Sequence, residues 1–182
     1  MVFAMGDQPP PEVLSDGIVT LRQWTEADAP AIVECIDGDE EITRWLDQIP
    51  QPYGLEHALA YIRGIAESSL AIVDAGGRVL GSIGVRWNEP GDVGEVGYWL
   101  RADARGSGVT SRALLLISRS ALSRDGVGRL QLRAAVENAA SRRVAEKAGF
   151  RLEGVLRAAH WSPRLERRVD WAMYSLLPGE LA

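Results

Sequence analysis

The stretch that most constrains this chain is EVGYWLRADARGSGVTSRALLLIS, from Glu95 to Ser118. Its opening belongs to a run, Val93–Leu100, that reads as a strand, and its close sets Val109, Ala113, Leu116 and Ile117 on one helical face. Between them RGSGVT places Gly106 and Gly108 on either side of Ser107, directly before the helix. The first amides of a helix are unpaired and lie at the positive end of its dipole. Glycines beside them let an anionic group approach without a Cβ in the way. Two readings follow: an anion seated on the amides of Gly106, Ser107, Gly108, Val109, Thr110 and Ser111, with Arg105 and Arg112 adding charge, or a plain strand-to-helix turn.

The flanking pattern bounds the fold. GIVTLRQW (17–24) alternates like a strand, and Thr25 followed by Asp28 resembles a capping box opening a helix through about Ile36. LEHALAYIRGIAES has helical spacing, and LAIVD and VLGSIGVRW flank AGGR as a hairpin. After the glycine-flanked helix, LQLRAAV alternates, NAASRRVAEKAGF starts at the N-cap candidate Asn138 and stops at Gly149, and FRLEGVLR and RVDWAMYSLL supply two last strands. This order predicts one domain over 17–182, preceded by a flexible lead-in at 1–16. Its class is mixed α/β (α+β), with a mostly antiparallel sheet and one parallel crossover in the middle.

Composition narrows the function. Cys35 is the one cysteine, which excludes an internal disulfide and a cysteine-based metal cluster. No apolar run approaches the roughly 20 residues of a membrane span, and MVFAMGDQPPPEV lacks the pattern of a secretory leader. The expectation is a cytoplasmic protein that binds neither membrane nor metal. From Arg101 to Arg157 there are 12 Arg/Lys against 5 Asp/Glu, while the remainder holds 8 against 20. A basic half suits a phosphate-bearing ligand and an acidic half a cationic one. The net charge of −5 argues against a dedicated nucleic-acid binder.

Three phosphate-binding patterns compete for RGSGVT. A P-loop requires a lysine after its second glycine, and none is present. A dinucleotide fold would read Gly106 to Ser111 as a degraded GxGxxG, with Glu137 as the ribose ligand. That fingerprint starts almost at the strand end, whereas RADAR intervenes here, and the hairpin-rich first half does not look like repeated βαβ units. The third pattern is a family resemblance. RGSGVT resembles the (Q/R)-x-x-G-x-(G/A) acyl-CoA loop of the GNAT N-acyltransferases, with Thr110 in place of a small last residue. GEVGYWL and ENAASRRVAEKAGF are similar to the segments on either side of it in the RimJ/RimL-like branch. VTLRQWTEADA, RLEGVLR and VDWAMYSLL extend the resemblance from about Ile18 to Leu177.

The resemblance implies a GNAT fold, its sheet splayed between the fourth and fifth main strands, with acetyl-CoA or another acyl-CoA such as succinyl-CoA as co-substrate. A bulge at Gly94 or Gly97 is expected to open the splay. The cofactor would lie against Tyr98, Trp99 and Leu100, with its pyrophosphate on Arg105 to Ser111 and its pantetheine arm at Asn138. The family's usual tyrosine acid is replaced by Ala145, so Ser141 is expected to protonate the departing thiolate as well as to touch the cofactor. A carboxylate at the cleft would take the proton from the incoming amine, and Glu95 is the candidate, sharing a strand face with Gly97 and Trp99. The acceptor is expected at Trp45, Pro50, Pro52, Tyr53, Glu95 and His160, with DGDEE nearby to draw in a cation. A helical His57 reads as surface. The resemblance implies direct transfer to a primary amine, of a peptide N-terminus or a small molecule, with a homodimer as the family's precedent. The alternatives are a different acyl donor or acceptor and a non-catalytic acyl-CoA-binding module.

Overall fold

The computed structural model describes residues 13–65, 68–88 and 90–181. In chain order the elements are β1 (Val13–Ser15), β2 (Val19–Arg22), α1 (Ala29–Ile36), α2 (Glu40–Trp45), α3 (Leu55–Ile65), β3 (Ser69–Asp74), β4 (Val79–Trp87) and β5 (Val93–Leu100). There follow α4 (Val109–Leu122), β6 (Arg129–Ala135), α5 (Ala139–Lys147), β7 (Arg151–Ser162) and β8 (Arg167–Leu176). The strands form one sheet in the order β1-β2-β3-β4-β5-β6-β8-β7. Among the described strands, only β5 and β6 run parallel. This is the mixed, mostly antiparallel sheet that the sequence predicts; repeated βαβ units are absent among the described residues, so the dinucleotide reading has no fold to rest on.

Helices cover the sheet on both faces. On one side α4 and α5 pack over Leu21, Ile72, Val96, Leu130, Leu132 and Tyr174. On the other, α1, α2 and α3 pack over Ala71, Val73, Val79 and Trp99. The entry to α1 is built as the sequence suggests: the Asp28 carboxylate accepts from the Thr25 amide at 2.9 Å and from its hydroxyl at 3.0 Å. Arg22 holds the same carboxylate through two bonds of 2.8 Å. The first turn after Thr25 is 3-10 (Glu26–Asp28), and α1 begins at Ala29.

Two features differ from the sequence reading. Val13–Ser15, placed in the lead-in, pairs with β2 as an edge strand; residues 1–12 of that lead-in lie outside the described residues. β7 also runs on to Ser162, so His160 and Trp161 are strand residues and not loop residues. The shortness of Val13–Ser15, and Ala158 with its φ of 50° inside β7, hide both strands from periodicity.

Candidate active site

β5 and β6 pair over Val93–Arg129, Gly94–Leu130 and Glu95–Gln131, and then part. Beyond this point β6 bonds only to β8. The opening therefore lies between Val96–Leu100 and Leu132–Ala135, toward the C-terminal ends of both strands. The expected bulge is absent: β4 and β5 keep an unbroken register from Gly81–Leu100 to Trp87–Gly94. Gly94 acts by close packing instead. A Cβ there would meet Val85 Cγ1 at 2.6 Å, Leu130 Cδ2 at 2.8 Å and Trp87 Cζ3 at 2.9 Å.

At the mouth of the opening, Gly106 and Gly108 have φ of 78° and 85°, a left-handed backbone that explains both glycines. Ser107 Oγ ties the turn by donating to Ala104 O at 2.6 Å. The amides of Gly106, Ser107 and Gly108 donate to no group among the described residues, and the first turn of α4 adds further unpaired donors. A Cβ at either glycine would meet nothing within 4 Å. Open space above a row of free donors fits an anionic pyrophosphate. The arginines stand differently from expectation. Arg105 donates to Leu100 O at 3.2 and 3.1 Å and to Asp39, while Arg112 pairs with Asp16 at 2.8 Å. Both brace the loop. Val109 and Thr110 turn their side chains into the protein, so only their backbone faces outward.

Strand parity sorts the β5 residues. Leu100 is buried on the α4 side, and Trp99 lies in the core on the opposite face, stacked on Trp24 at 6.3 Å between ring centres. Neither side chain is available to a ligand, which leaves their backbone. Tyr98 crosses the opening: its hydroxyl lies 2.9 Å from Ser141 Oγ and donates to Ser141 O at 3.2 Å. Asn138 caps α5 by accepting from the Ser141 amide at 2.9 Å. Burial pushes the Tyr98 phenol up to about 12, against which the Ser141 hydrogen bond acts. The sequence reading assigned Tyr98 a cofactor contact and missed this pair; the signal was its parity with Val96 and Leu100, which aims it at the helix carrying Ser141.

Glu95 faces the other side of the sheet and is already engaged. Arg133 Nη2 contacts its two oxygens at 2.5 and 2.7 Å, Gln131 donates at 3.4 Å and Arg86 lies at 3.6 Å. Arg133 in turn lies 4.4 Å over the Trp171 ring, and Trp171 stacks against His160 at 5.0 Å. His160 Nε2 is 2.6 Å from Asp47 Oδ2, in the segment that follows α2. Ser162 donates to the same carboxylate at 3.0 Å, and Arg164 to Ile49 O at 2.7 Å. The segment after α2 is thus tied across the sheet to the β7–β8 hairpin.

The remaining expected acceptor residues separate. Tyr53 is buried, with its phenol pushed up to about 12 by burial. Trp45 is half-buried and donates to Glu41 at 2.8 Å. His57 Nδ1 accepts from the Gly54 amide at 3.0 Å, a capping role. Within DGDEE, Asp39 caps α2 through the Glu41 and Ile42 amides. Cys35 is buried, and that burial holds its thiol up at about 11. Among the described residues no three His, Cys, Asp or Glu side chains gather as a metal set, and no helix is long and apolar enough to cross a membrane.

The fold has counterparts among solved structures. Residues 19–151 match the model of the acetyltransferase (GNAT) domain. Among solved structures, a GNAT-family acetyltransferase from Bacillus anthracis superposes with a TM-score of 0.84 at 18% identity, covering 92% of this chain and 99% of that one. RimL, a ribosomal L7/L12 α-N-protein acetyltransferase, reaches 0.78 at 20% identity, covering 91% and 94%. The microcin C7 self-immunity acetyltransferase MccE, solved with acetyl-CoA and AMP, reaches 0.75 at 20%, covering 90% and 93%. No curated protein matches the chain. With that domain matched over most of its length and the splayed sheet and glycine loop in place, the chain belongs to the GNAT acetyltransferase family and is an acyltransferase.

Proposed function

We propose that the protein transfers an acyl group, acetyl by default, from an acyl-CoA directly to a primary amine in the manner of the RimJ/RimL-like branch. The observation that carries this reading is the row of free amides at Gly106, Ser107 and Gly108, set in open space at the mouth of the β5–β6 opening. Solved relatives support the donor: RimL has been solved with coenzyme A and MccE with acetyl-CoA. The acyl-CoA supplies a thioester carbonyl for the amine to attack. The amides of residues 106–111 hold its pyrophosphate, and the exposed backbone at Gly97 borders the thioester. Asn138 meets the pantetheine arm. Ser141, joined by Tyr98, delivers a proton to the departing sulfur. Glu95 serves at the acceptor side, where it fixes Arg133 and presents negative charge to the incoming ammonium. A covalent acyl-cysteine is disfavoured by the buried, protonated Cys35.

The test is calorimetric titration with acetyl-CoA, succinyl-CoA, NAD and ATP. It is followed by thiol release from acetyl-CoA in the presence of Ala-Ala-Ala amide and 1,4-diaminobutane. Saturable binding of acetyl-CoA without NAD binding, and thiol release that depends on an amine, are expected. Binding without amine-dependent release would make the protein an acyl-CoA-binding module. No binding by the folded protein would return RGSGVT to a structural turn.

A further inference from the structure

Resting on the transfer reading above, we propose that His160 takes the proton from the acceptor amine, with Asp47 as the residue that positions it. Four observations lead there. First, the carboxylate expected to do this, Glu95, is occupied by Arg133, Arg86 and Gln131. Second, a carboxylate is an acceptor, so the 2.6 Å contact with Asp47 puts the ring hydrogen of His160 on Nε2 and leaves a lone pair on Nδ1. Nδ1 has no hydrogen-bond partner among the described residues, and the His160 side chain is 37% exposed. Third, its ring is stacked on Trp171, which is in register with Ala135, the last residue of β6. That sets the imidazole level with the C-terminal end of β6, the end at which the β5–β6 splay opens. Fourth, Arg133 and Trp171 connect this wall to Glu95 on the same sheet face. The charged groups facing the ring's surroundings are Asp47, Arg133, Glu95 and Arg164, and the anion–cation pairing leaves Asp47 as the one in direct contact.

The chemistry balances. The ammonium of the acceptor gives one proton to His160 Nδ1, and this proton passes to solvent. The neutral nitrogen then forms a C–N bond to the acyl carbon while the C–S bond breaks. The second proton lost from nitrogen ends on the CoA sulfur by way of Ser141 and Tyr98. An ammonium and a thioester thus yield an amide, a thiol and one released proton. Asp47 holds the ring through Nε2 while Nδ1 takes up and releases the proton.

The experiment compares wild type with His160→Gln, Asp47→Asn, Ser162→Ala and Glu95→Gln, using acetyl-CoA with Ala-Ala-Ala amide and 1,4-diaminobutane. Each variant's fold is checked by circular dichroism and its acetyl-CoA affinity by calorimetry. His160→Gln is expected to lower kcat/KM by about 100-fold near neutral pH, with acetyl-CoA affinity unchanged and the deficit shrinking as rising pH deprotonates the amine. Asp47→Asn should shift the pH profile of kcat/KM, and Asp47→Glu should restore part of it. Ser162→Ala, which loosens the same tether without touching the ring, should keep its activity. A His160→Gln protein that turns over at the wild-type rate across the pH range would overturn the proposal while leaving acyl transfer intact. So would equal losses in Ser162→Ala, which would mark His160 as a tether only. Acetyl-CoA binding by a wild type that acylates neither amine would overturn the transfer reading, and the dyad with it.

Discussion

Tyr98 and Ser141 are 43 residues apart in sequence and 2.9 Å apart in space. Their chemistry follows from burial. A phenol held up at about 12 does not ionise at neutral pH, so it cannot act by giving up a proton and waiting for another. In the transfer proposed above it serves as a link: each hydroxyl gains a proton from one neighbour as it passes one to the next, and no free phenolate forms. The pair therefore behaves as one unit. Tyr98→Phe and Ser141→Ala should each lower kcat by about 100-fold, and the double variant should lose little more than either alone. Acetyl-CoA affinity, measured by calorimetry, should stay within a few-fold of wild type. Additive losses in kcat would mean that the two hydroxyls serve separate steps. Local readings of this kind came readily from the sequence where the backbone alone decides them. The N-cap at Asn138 and the glycine turn at Gly106 and Gly108 need only their immediate neighbours. The Tyr98 link needs a partner from another element, and strand parity gives only the face on which that partner lies.

β5 is the element on which the site depends, because it has an antiparallel neighbour along its whole length and a parallel one along less than half. Gly94 marks where the three strands are tightest, since Val85 of β4 and Leu130 of β6 both close on it. Gly94→Ala should force these side chains apart and cost about 1–3 kcal/mol, read as a lower midpoint in urea unfolding at unchanged slope. Because the same residue sits at the base of the opening, acetyl-CoA affinity should fall with it. Gly97→Ala is the control: its Cβ would meet nothing within 4 Å, so stability should hold. Unchanged stability in Gly94→Ala would show that the sheet relaxes around the added methyl. The order of β5, the glycine turn and α4 was plain in the sequence, because strand alternation, paired glycines and helical spacing succeed one another there. Register was not. The Glu95–Arg133 pair and the absence of a bulge depend on how residues distant in the chain align, and each strand's own pattern is compatible with several alignments.

Over the whole molecule, charge and burial are arranged for the neutral range. The excess of acid outside Arg101–Arg157 is engaged in good part in ion pairs that join distant parts of the fold. Asp39 holds Arg105, Asp16 holds Arg112 and Glu34 holds Arg101. An acidic half read as a lure for cations thus works as scaffolding for the basic loop, which composition alone cannot distinguish. Among the described residues, three buried neutral groups oppose alkaline conditions. Burial raises Cys35 from 9.0 to about 11, and Tyr53 and Tyr98 from 10.0 to about 12. In each case the folded protein keeps a proton that the unfolded chain releases, so stability falls as pH rises. The contribution is fully present below the unfolded values and is lost as pH climbs through the folded ones. Every tenfold difference in proton affinity between the folded and unfolded chain is worth about 1.4 kcal/mol, so each of the three groups steepens the loss. Thermal unfolding followed from about pH 8 to about pH 12 should show Tm falling steeply in the upper half of that range. Tyr53→Phe removes one of the three groups without touching the site, so its Tm should fall less steeply than that of wild type. An identical slope in the two proteins would mean that the Tyr53 hydroxyl reaches solvent before the fold is lost, and that burial at this position does not oppose its ionisation.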